Sequence, residues 1–269
     1  MKLTILCNDR ARAPMIAEHG FSVLLEASDD RHVLFDTGAS DVFMKNAKLL
    51  KIDLSGITDV VLSHGHYDHV GGLKDLLLKV RPRIWVRREI AFLKYSKARY
   101  IGPSYSWNEI EEAAEHIKYV NDHIEELSDS VFVWGPARMG NSFEEPDSEF
   151  LVRKEKTVKR DYFEEELNLT VRSSKGLVVI TGCAHRGIIN IITEAAQLFR
   201  DQIYMVLGGF HLRNAPLEKI QWVTEKFNQL DIKRLVPCHC TGREAIQLFK
   251  KHFEGEVLDC YVGAEMMIE

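Results

Sequence analysis

Short apolar runs alternate with polar turns along most of the chain, and their periodicity predicts alternating strands and helices. Strands are predicted at residues 21–26, 32–35, 59–62 and 83–86 in the first half, and at 169–172, 177–181, 203–207, 233–236 and 256–262 in the second. Helices are predicted at residues 41–50, 72–80, 107–122, 187–199, 217–230 and 241–253, the last with Thr241 as its N-cap. Both halves therefore share a loose order of strand pair, polar loop, helix and strand.

The middle of the chain, from about residue 87 to residue 166, interrupts this order. Apart from the predicted helix at 107–122, it holds a polar stretch marked by glycine and proline at 135–149 and a charged run at 153–166. We therefore predict a single domain over residues 1–269, in which residues 87–166 form an insertion or lid over one face of the core.

The composition limits the classes of function. Hydrophobic residues make up 45% of the 269 residues, which suffices for a packed core, and the formal net charge is −5. A mildly acidic chain offers no electrostatic footprint for nucleic acid or an anionic membrane. The opening residues form no secretory signal, no run reaches the roughly 18 apolar residues of a spanning helix, and the five cysteines follow no disulfide spacing. We therefore expect a reduced, cytoplasmic protein that acts on a small molecule.

Residues 63–72, SHGHYDHVGG, place three histidines and an aspartate directly after a predicted strand. His64 and His66 are two positions apart, so on extended backbone both imidazoles point to the same side. Asp68 and His69 follow where the backbone turns into a helix, and they point toward a second, neighbouring position. Neutral imidazole and carboxylate oxygen are common ligands of divalent metals, so this loop predicts half of the ligands of a metal pair.

Three further histidines, His185, His211 and His239, also follow apolar strands directly. Any one of them alone is as easily explained by a histidine that is hydrogen-bonded within the core. Three at strand ends, in a chain that already has a loop rich in ligands, favour a shared metal site instead. The remaining five of the eleven histidines lie where solvated or capping histidines are ordinary.

The loop HGHYDHVGG resembles the His-x-His-x-Asp-His signature of the metallo-β-lactamase superfamily. The stretches LFDTG at 34–38 and GCAH at 182–185, and the late His239, fall in the order and approximate spacing of that superfamily. The stretches EHGFSVLLE, GCAHRGIINII, GGFHL and HCTG are similar to one branch, which includes the pterin-linked ribofuranosylaminobenzene 5′-phosphate synthases. The resemblance implies an α+β fold, a four-layer αβ/βα sandwich with two mixed β-sheets face to face and helices outside.

The resemblance also implies a ligand set. One metal ion would be held by His64, His66 and His185, and a second by Asp68, His69 and His239. Most relatives bridge the metals with an aspartate in a Gly-Asp segment, whereas this chain has His211 after Gly209-Phe210. A neutral imidazole cannot bridge two cations as a carboxylate does, so His211 either binds one metal terminally or leaves one site weak. Asp36, in LFDTG, would brace the metal loop through hydrogen bonds without binding a metal.

A divalent ion with an open position lowers the pKa of bound water from about 15.7 to about 7, and it polarises a carbonyl or phosphoryl oxygen. The residues and the resemblance together predict a hydrolase that uses metal-bound hydroxide on a phosphorus ester or a related small molecule. We expect one or two divalent ions, with zinc first and manganese or iron as alternatives. Asp68 is also predicted to accept a proton from the water, which makes it the candidate catalytic residue.

Three other functions stay open. A transferase resembling the ribofuranosylaminobenzene 5′-phosphate synthases would act on a phosphoribosyl diphosphate. An iron-dependent redox enzyme would keep the same fold, and a sensor with a degenerate site would keep the fold without the chemistry. Cys183, Cys238 and Cys240 lie next to the late histidines, but their spacing does not match a structural zinc site. We expect these cysteines to pack near the ligands, and the oligomeric state stays open.

Overall fold

The computed structural model describes residues 1–121 and 123–269. The strands of the first half are β1 (Lys2–Cys7), β2 (Ser22–Glu26), β3 (His32–Phe35), β4 (Asp59–Val61), β5 (Arg83–Val86), β6 (Leu93–Ser96), β7 (Arg99–Tyr100), β8 (His116–Tyr119), β9 (Ile124–Ser128) and β10 (Val131–Trp134). The later strands are β11 (Phe150–Lys154), β12 (Thr157–Arg160), β13 (Asn168–Ser173), β14 (Gly176–Thr181), β15 (Ile203–Gly209), β16 (Arg234–Cys238), β17 (Glu256–Val257) and β18 (Glu265–Met267). The helices are α1 (Val42–Leu49), α2 (Tyr67–Val70), α3 (Leu73–Leu77), α4 (Trp107–Ala113), α5 (Ile188–Phe199), α6 (Leu217–Gln229) and α7 (Arg243–His252). Within these described residues, no helix has both the length and the hydrophobicity that crossing a membrane requires.

Two seven-stranded sheets form the centre of the fold. The first has the order β18-β1-β2-β3-β4-β5-β8, and the second has the order β17-β16-β15-β14-β13-β10-β9. Both mix antiparallel hairpins, such as β2–β3 and β13–β14, with parallel pairs, such as β3–β4 and β15–β16. The hairpins follow from paired apolar runs around short turns, and the parallel pairs from the helices that separate their strands.

Alternating side chains of each strand enter different apolar layers. On β14, Val178 and Ile180 join the core between the two sheets. Leu177 and Val179, on the opposite face, pack against residues of α5, α6 and α7. The outer face of the first sheet packs in the same way against α1 and α3. Two mixed sheets face to face with helices outside are the predicted four-layer sandwich, so the fold prediction is confirmed.

Parallel pairing brings together the strand ends that matter for function. The carboxyl ends of β14, β15 and β16 lie side by side, with Thr181 opposite Gly208 and Gly209 opposite Cys238. In the first sheet β3 and β4 are parallel as well. Loops that leave these ends therefore start next to one another within each sheet, and they are the loops that carry the predicted ligands.

The predicted helix over residues 107–122 is wrong beyond its first two turns. Helix α4 ends at Ala113, and residues 116–119 form β8, which pairs in parallel with β5 at the edge of the first sheet. Pairing with β5 outweighs the helical spacing because it satisfies the backbone polar groups of this segment against the sheet. Asp122, the end of the predicted helix, lies outside the described residues.

Residues 87–166 contain a small antiparallel sheet of their own, in the order β12-β11-β6-β7. They also contain β8, β9 and β10, which belong to the two large sheets. The segment thus contributes three strands to the two large sheets. The description of the chain as one domain with an insertion stays a prediction.

Several predicted boundaries differ from the observed ones, and three examples show why. The last helix begins at Arg243, because the hydroxyl of Thr241 does not cap it and instead accepts a hydrogen bond from the backbone N–H of Phe210 (3.0 Å). The helix predicted at 72–80 ends at Leu77. The strand predicted at 256–262 ends at Val257. Sequence periodicity thus located these elements but not their ends.

Lys94 on β6 joins the small sheet to the rest of the protein through buried ion pairs. Its Nζ lies 2.9 Å from Asp161 Oδ2 and 2.5 Å from Glu165 Oε1, and only 1% of its side chain is exposed. Burial lowers the pKa of Lys94, but the two carboxylates outweigh burial and raise it, so the ammonium stays charged. A Cβ atom at Gly65 would lie 3.5 Å from Lys94 Cε, so the lysine stem also runs along the predicted metal loop.

Replacing this lysine by methionine (Lys94→Met) keeps the apolar stem but leaves two buried carboxylates without a cation. We expect the free energy of unfolding to fall by about 3–5 kcal/mol, the cost of breaking a buried ion pair from one side. Urea denaturation in the presence of EDTA measures this loss without a contribution from bound metal.

The matched control is Lys97→Met, because Lys97 lies in the same hairpin but is 79% exposed, with its Nζ 3.4 Å from a carboxylate oxygen of Glu149. Its loss of unfolding free energy should stay below about 1 kcal/mol. Equal losses for the two substitutions would contradict the role given to Lys94.

Candidate metal centre

The loop after β4 and the single turn of α2 carry the first ligand motif. His66 is the extended N-cap residue of α2, and Asp68 and His69 lie within the turn. His64, His66, Asp68 and His69 are all buried, with at most 7% of any residue exposed. Residues 71–72, both glycine, follow where any side chain would collide with backbone oxygens of the segment before α1. Glycine at both positions therefore allows the backbone between α2 and α3 to lie close to the segment before α1.

The three later histidines leave the carboxyl ends of neighbouring parallel strands. His185 follows β14, His211 follows β15 and His239 follows β16. His185 and His239 are buried, whereas His211 is partly exposed. His211 and His239 have positive φ values of 47° and 43°, so the chain turns sharply at both strand ends.

His64, His66 and His185 form one group of imidazoles. The ring centroids are 4.5 Å apart for His64 and His66, 4.9 Å for His64 and His185, and 5.0 Å for His66 and His185. Two histidines of the first sheet therefore meet one histidine of the second sheet at a common point.

Asp68, His69 and His239 form a second group beside the first. Oδ2 of Asp68 lies 3.2 Å from Nε2 of His239 and 3.8 Å from Nε2 of His69. Two ligands bound to the same ion at about 2.0–2.2 Å are roughly 3–4 Å apart, so these separations suit one shared cation. The rings of His64 and His69 are 4.2 Å apart, which places the two groups side by side.

His211 contacts the first group from one side. Its ring centroid is 4.3 Å from that of His185, and one of its nitrogen atoms lies within 4.8 Å of the sulfur atoms of Cys183 and Cys240. The structure thus brings all seven sequence-predicted ligand residues to one place.

Several nitrogen atoms of these groups have no hydrogen-bond partner among residues 1–121 and 123–269. They are Nε2 of His64, Nε2 of His66, both ring nitrogens of His185, and Nδ1 of His211. Burial lowers the pKa of His64, His66 and His185, to about 3 for His66, so these rings are neutral and offer lone pairs. Buried polar atoms without partners are costly, and a divalent cation is the partner that suits neutral imidazoles and a carboxylate. The residues present therefore fit divalent metal ions.

Asp36 holds the first motif in place from the end of β3. Its Oδ1 accepts a hydrogen bond from the backbone N–H of Ser63, and its Oδ2 contacts the hydroxyl of Ser63 and Nδ1 of His69, all at 2.7 Å. The same hydroxyl lies 2.9 Å from Nδ1 of His64. Because Nδ1 is engaged in both rings, Nε2 of His64 and of His69 stays available to a ligand. Asp36 thus orients His69 directly and His64 through Ser63.

Two carboxylates that brace the later histidines were not identified from the sequence. Oδ1 of Asp9 lies 2.6 Å from Nδ1 of His239. Glu166 accepts hydrogen bonds from the backbone N–H groups of His185 (2.6 Å) and Arg186 (3.1 Å). Asp9 lies two positions after the end of the apolar strand β1, which was not predicted from the sequence; had β1 been predicted, the strand-end pattern would have pointed to Asp9. Glu166 precedes β13 and carries no comparable signal.

The charged groups of the second ligand group shift one another's pKa. Burial raises the pKa of Asp68, but the neighbouring His69 and His239 outweigh burial and hold that pKa well below its usual range. Burial lowers the pKa of His239, but Asp68 and Asp9 outweigh burial and raise it to about 10. Asp68 is therefore anionic at ordinary pH, as a metal ligand requires.

His19 also reaches the second ligand group, although the sequence placed it among the ordinary histidines. Its Nδ1 lies 3.0 Å from Oδ2 of Asp9, and its Nε2 lies 3.4 Å from Oδ2 of Asp68. The contact joins the segment after β1 to the loop after β4, and no local pattern around residue 19 predicts it.

The cysteines are not all reduced, contrary to the expectation from their spacing. Cys238 and Cys260 form a disulfide with Cα atoms 5.6 Å apart, because Cys260 follows β17, the strand that pairs with β16. Cys7, Cys183 and Cys240 are free and buried. Sγ of Cys183 lies 3.2 Å from Nε2 of His69, so this cysteine does more than pack near the ligands: it lies among them.

Five of the seven ligand residues line a pocket of about 580 Å³, which is the size of a small-molecule site; they are His66, Asp68, His185, His211 and His239. Arg99, Arg213 and Lys219 contribute cationic side chains to its walls. Residues 144–149 contribute carboxylates to the same pocket. The metal groups are therefore open to a substrate from a charged cleft.

A family model for the metallo-beta-lactamase superfamily matches residues 16–239, a range that includes all seven ligand residues. The chain belongs to this superfamily. The prediction of the family from the HGHYDHVGG loop is confirmed. The superfamily comprises metal-dependent enzymes that bind divalent ions, which agrees with the donor set of this metallo-β-lactamase fold.

Relatives cover the whole chain. The 7,8-dihydropterin-6-methyl-4-(β-D-ribofuranosyl)-aminobenzene-5′-phosphate synthase of Methanocaldococcus jannaschii is 28% identical, over 98% of this chain and 95% of the synthase. The crystal structure of Tm1679, a metal-dependent hydrolase of the β-lactamase superfamily, is 43% identical, with a TM-score of 0.91 and coverage of 100% of this chain and 99% of that one. Zinc-bound PqqB from Methylobacterium extorquens shares the fold alone, at 11% identity and a TM-score of 0.60 over the full length of both chains. The predicted resemblance to the synthase branch is thus confirmed.

The bracing role of Asp36 predicts a loss of metal affinity in Asp36→Asn. An amide cannot accept from both Ser63 and His69 with the strength of a carboxylate, so His69 loses its orientation. We expect the affinity for zinc to fall by about 10–100-fold, the usual cost of removing a partner that orients a ligand. Competition against a chromophoric zinc chelator measures the change.

The matched control is Asp59→Asn. Asp59 is equally buried, but its carboxylate bonds Nε1 of Trp85 (2.7 Å) and Nε of Arg83 (2.9 Å) and touches none of the metal ligands. We expect this variant to lose stability and keep its zinc affinity. Equal losses of affinity in both variants would mean that Asp36 acts through stability alone.

Proposed function

We propose that this metallo-β-lactamase-fold protein is a metal-dependent hydrolase of small phosphorus esters. One observation carries the proposal. Buried imidazole nitrogens that lack hydrogen-bond partners within the described chain lie beside Asp68, at a 580 Å³ pocket whose walls include three cationic side chains. Neutral nitrogen ligands suit a divalent ion, and cationic walls suit an anionic substrate.

The two ligand groups correspond to two ions. We assign His64, His66 and His185 to one, and Asp68, His69 and His239 to the other, with zinc as the first expectation and manganese or iron as alternatives. When bound, such ions lower the pKa of coordinated water from about 15.7 to about 7 and polarise a phosphoryl oxygen. His211 stands at the side of the first group, where its imidazole adds a terminal ligand.

Asp68 is the proposed catalytic residue. It is buried at the meeting point of His239 and His19, and its low pKa keeps the carboxylate ionised. An ionised carboxylate in this position accepts a hydrogen bond and then a proton from the attacking water.

The cationic walls select the anionic end of the substrate. Arg213 is held rigidly, since its guanidinium donates to Oδ2 of Asp9 (2.5 Å) and to the backbone carbonyl of His239 (2.9 Å). Burial lowers the pKa of Lys219, whereas Glu144 and Asp147 act in the opposite direction. A phosphoryl group bound here would accept charge-assisted hydrogen bonds from these cationic side chains. A neutral group would not form hydrogen bonds of that strength.

The remaining walls limit the rest of the substrate. Four carboxylates, those of Glu144, Glu145, Asp147 and Glu149, line the same pocket. The chain as a whole has a net charge of −5, which does not attract a polyanion. We therefore propose a small molecule with one phosphorus ester and a neutral or cationic remainder, and no nucleic acid.

A transferase is the second candidate, and the likeness to the M. jannaschii synthase over 98% of this chain favours it. In that case the same cationic walls would hold a phosphoribosyl diphosphate, and pyrophosphate would leave. Pyrophosphate release that depends on an added aminobenzoate-type acceptor distinguishes this reaction from hydrolysis.

The ligand assignment predicts that EDTA and His64→Ala each abolish activity. We expect purified wild type to carry divalent metal by elemental analysis and to release nitrophenol from phosphodiester or phosphonate model compounds. His64→Ala should lose bound metal together with activity, because the first ion loses one of its imidazole ligands. The control is His252→Ala at the exposed end of α7, which should change neither quantity.

The role of Asp68 predicts that Asp68→Asn lowers the rate of hydrolysis at saturating substrate by about 10²–10⁴-fold, the range typical of general acid–base catalysis. Steady-state kinetics with measured metal content separates this effect from loss of a ligand. Asp147→Asn, which removes a carboxylate from the pocket wall alone, should stay within about tenfold of wild type, a factor worth 1.4 kcal/mol. Full activity and full metal content in Asp68→Asn would remove Asp68 from the mechanism.

A further inference from the structure

Cys183 occupies a position that none of the roles above explains. It directly precedes Ala184-His185 at the end of β14, and its thiol is buried between the two ligand groups. We infer that the Cys183 thiolate is a metal ligand that bridges the two ions of the centre. The inference rests on the proposed metal-dependent function and adds a sulfur ligand to it.

The sulfur atom belongs to both ligand groups by distance. Sγ of Cys183 and ring nitrogens of His64 and His185 all lie within 4.8 Å of one another. The same sulfur and ring nitrogens of His69 and His239 also lie within 4.8 Å of one another. Asp68, the carboxylate of the second group, contacts His69 and His239 of that group.

One of these separations is short enough to define a shared ion. Sγ of Cys183 lies 3.2 Å from Nε2 of His69. Zinc binds sulfur at about 2.3 Å and imidazole nitrogen at about 2.0–2.1 Å, so two such donors on one tetrahedral ion are roughly 3.5–3.6 Å apart. A small outward movement of the pair would therefore give it the spacing of two ligands of the same cation.

The charge balance of the centre also favours a thiolate. As metal ligands, the two groups offer imidazoles and a single carboxylate, Asp68, whereas two divalent ions bring four positive charges. A coordinating thiol is deprotonated outright, so Cys183 would supply a second negative charge at the point between the ions. A bridging anion at that point reduces the repulsion between the two cations.

Cys240 is the competing sulfur. Its thiol lies within 4.8 Å of Cys183 and His211, and it donates to the backbone carbonyl of Cys183 (3.7 Å). Cys240 forms a donor group with Cys183 and His211, whereas Cys183 also forms groups with His64 and with His69. The geometry therefore assigns the bridge to Cys183 and leaves Cys240 beside His211.

Cobalt(II)-substituted protein tests the assignment without relying on activity. We expect wild type to show sulfur-to-cobalt charge-transfer absorption in the near ultraviolet, which imidazole and carboxylate ligands do not produce. A variant with Cys7→Ser and Cys240→Ser keeps Cys183 and should keep the band. Adding Cys183→Ser to that variant should remove the band and weaken binding of the second cobalt ion by at least about tenfold.

Several outcomes decide the matter. A band that disappears with Cys240→Ser and persists without Cys183 would overturn the assignment in favour of Cys240. Two bound cobalt ions with model-ester hydrolysis but no sulfur band in wild type would overturn the bridge and leave the proposed function intact. Failure to bind any divalent ion would overturn the proposed function itself.

Even if the cysteine variants do not fold, the wild-type spectrum still shows whether any sulfur ligand is present, and its absence would overturn the proposal. X-ray absorption of the zinc protein provides a second readout that needs no variant. It should show a sulfur scatterer at about 2.3 Å next to nitrogen and oxygen scatterers. Thermal unfolding in EDTA shows whether each variant is folded before its metal binding is compared with that of wild type.

Discussion

Buried imidazole nitrogens that need a cationic partner are the constraint around which this protein is organised. Nε2 of His64 and of His66 and both ring nitrogens of His185 lie out of solvent with no hydrogen bond in the described chain. Leaving several polar atoms in this state costs free energy that a folded chain would not accept without a compensating ligand. The surrounding contacts have one shared effect, which is to aim these nitrogens at a common point.

Three carboxylates outside the ligand groups hold the ligand histidines in position. Asp36 orients His69 and reaches His64 through Ser63, Asp9 orients His239, and Glu166 holds the backbone of His185. Each comes from a different part of the fold, so the centre forms only when both sheets are in place. The sandwich and the site are therefore one structural unit, and the buried Lys94 ties the small sheet to the same region.

The cationic side chains of the pocket lie on its walls, whereas Asp68 lies at the ligand groups. In the proposed reaction, cationic side chains on the walls would attract an anionic group, while the ionised Asp68 at the ligand groups would accept a proton. The carboxylates of residues 144–149 would limit which molecules can follow that anionic group into the cleft. A thiolate from Cys183 would complete the balance by adding negative charge between the ions. Substrate preference and metal chemistry thus depend on different residues of the same pocket.

What the sequence alone determined is local. The motif from His64 to His69 lies within six positions, and His185, His211 and His239 each follow an apolar run, so strand-end chemistry was visible without a structure. The alternating apolar runs located nine of the eighteen described strands and most of the helices for the same reason. The tertiary structure decided what depends on distant contacts. Asp9, the partner of His239, is 230 positions away from it in the chain. Cys183 contacts His69 across 114 positions. Residues 116–119 form a strand because they pair with the edge of β5. No local pattern encodes such pairs, because their energy comes from neighbours that only the folded sheets bring together.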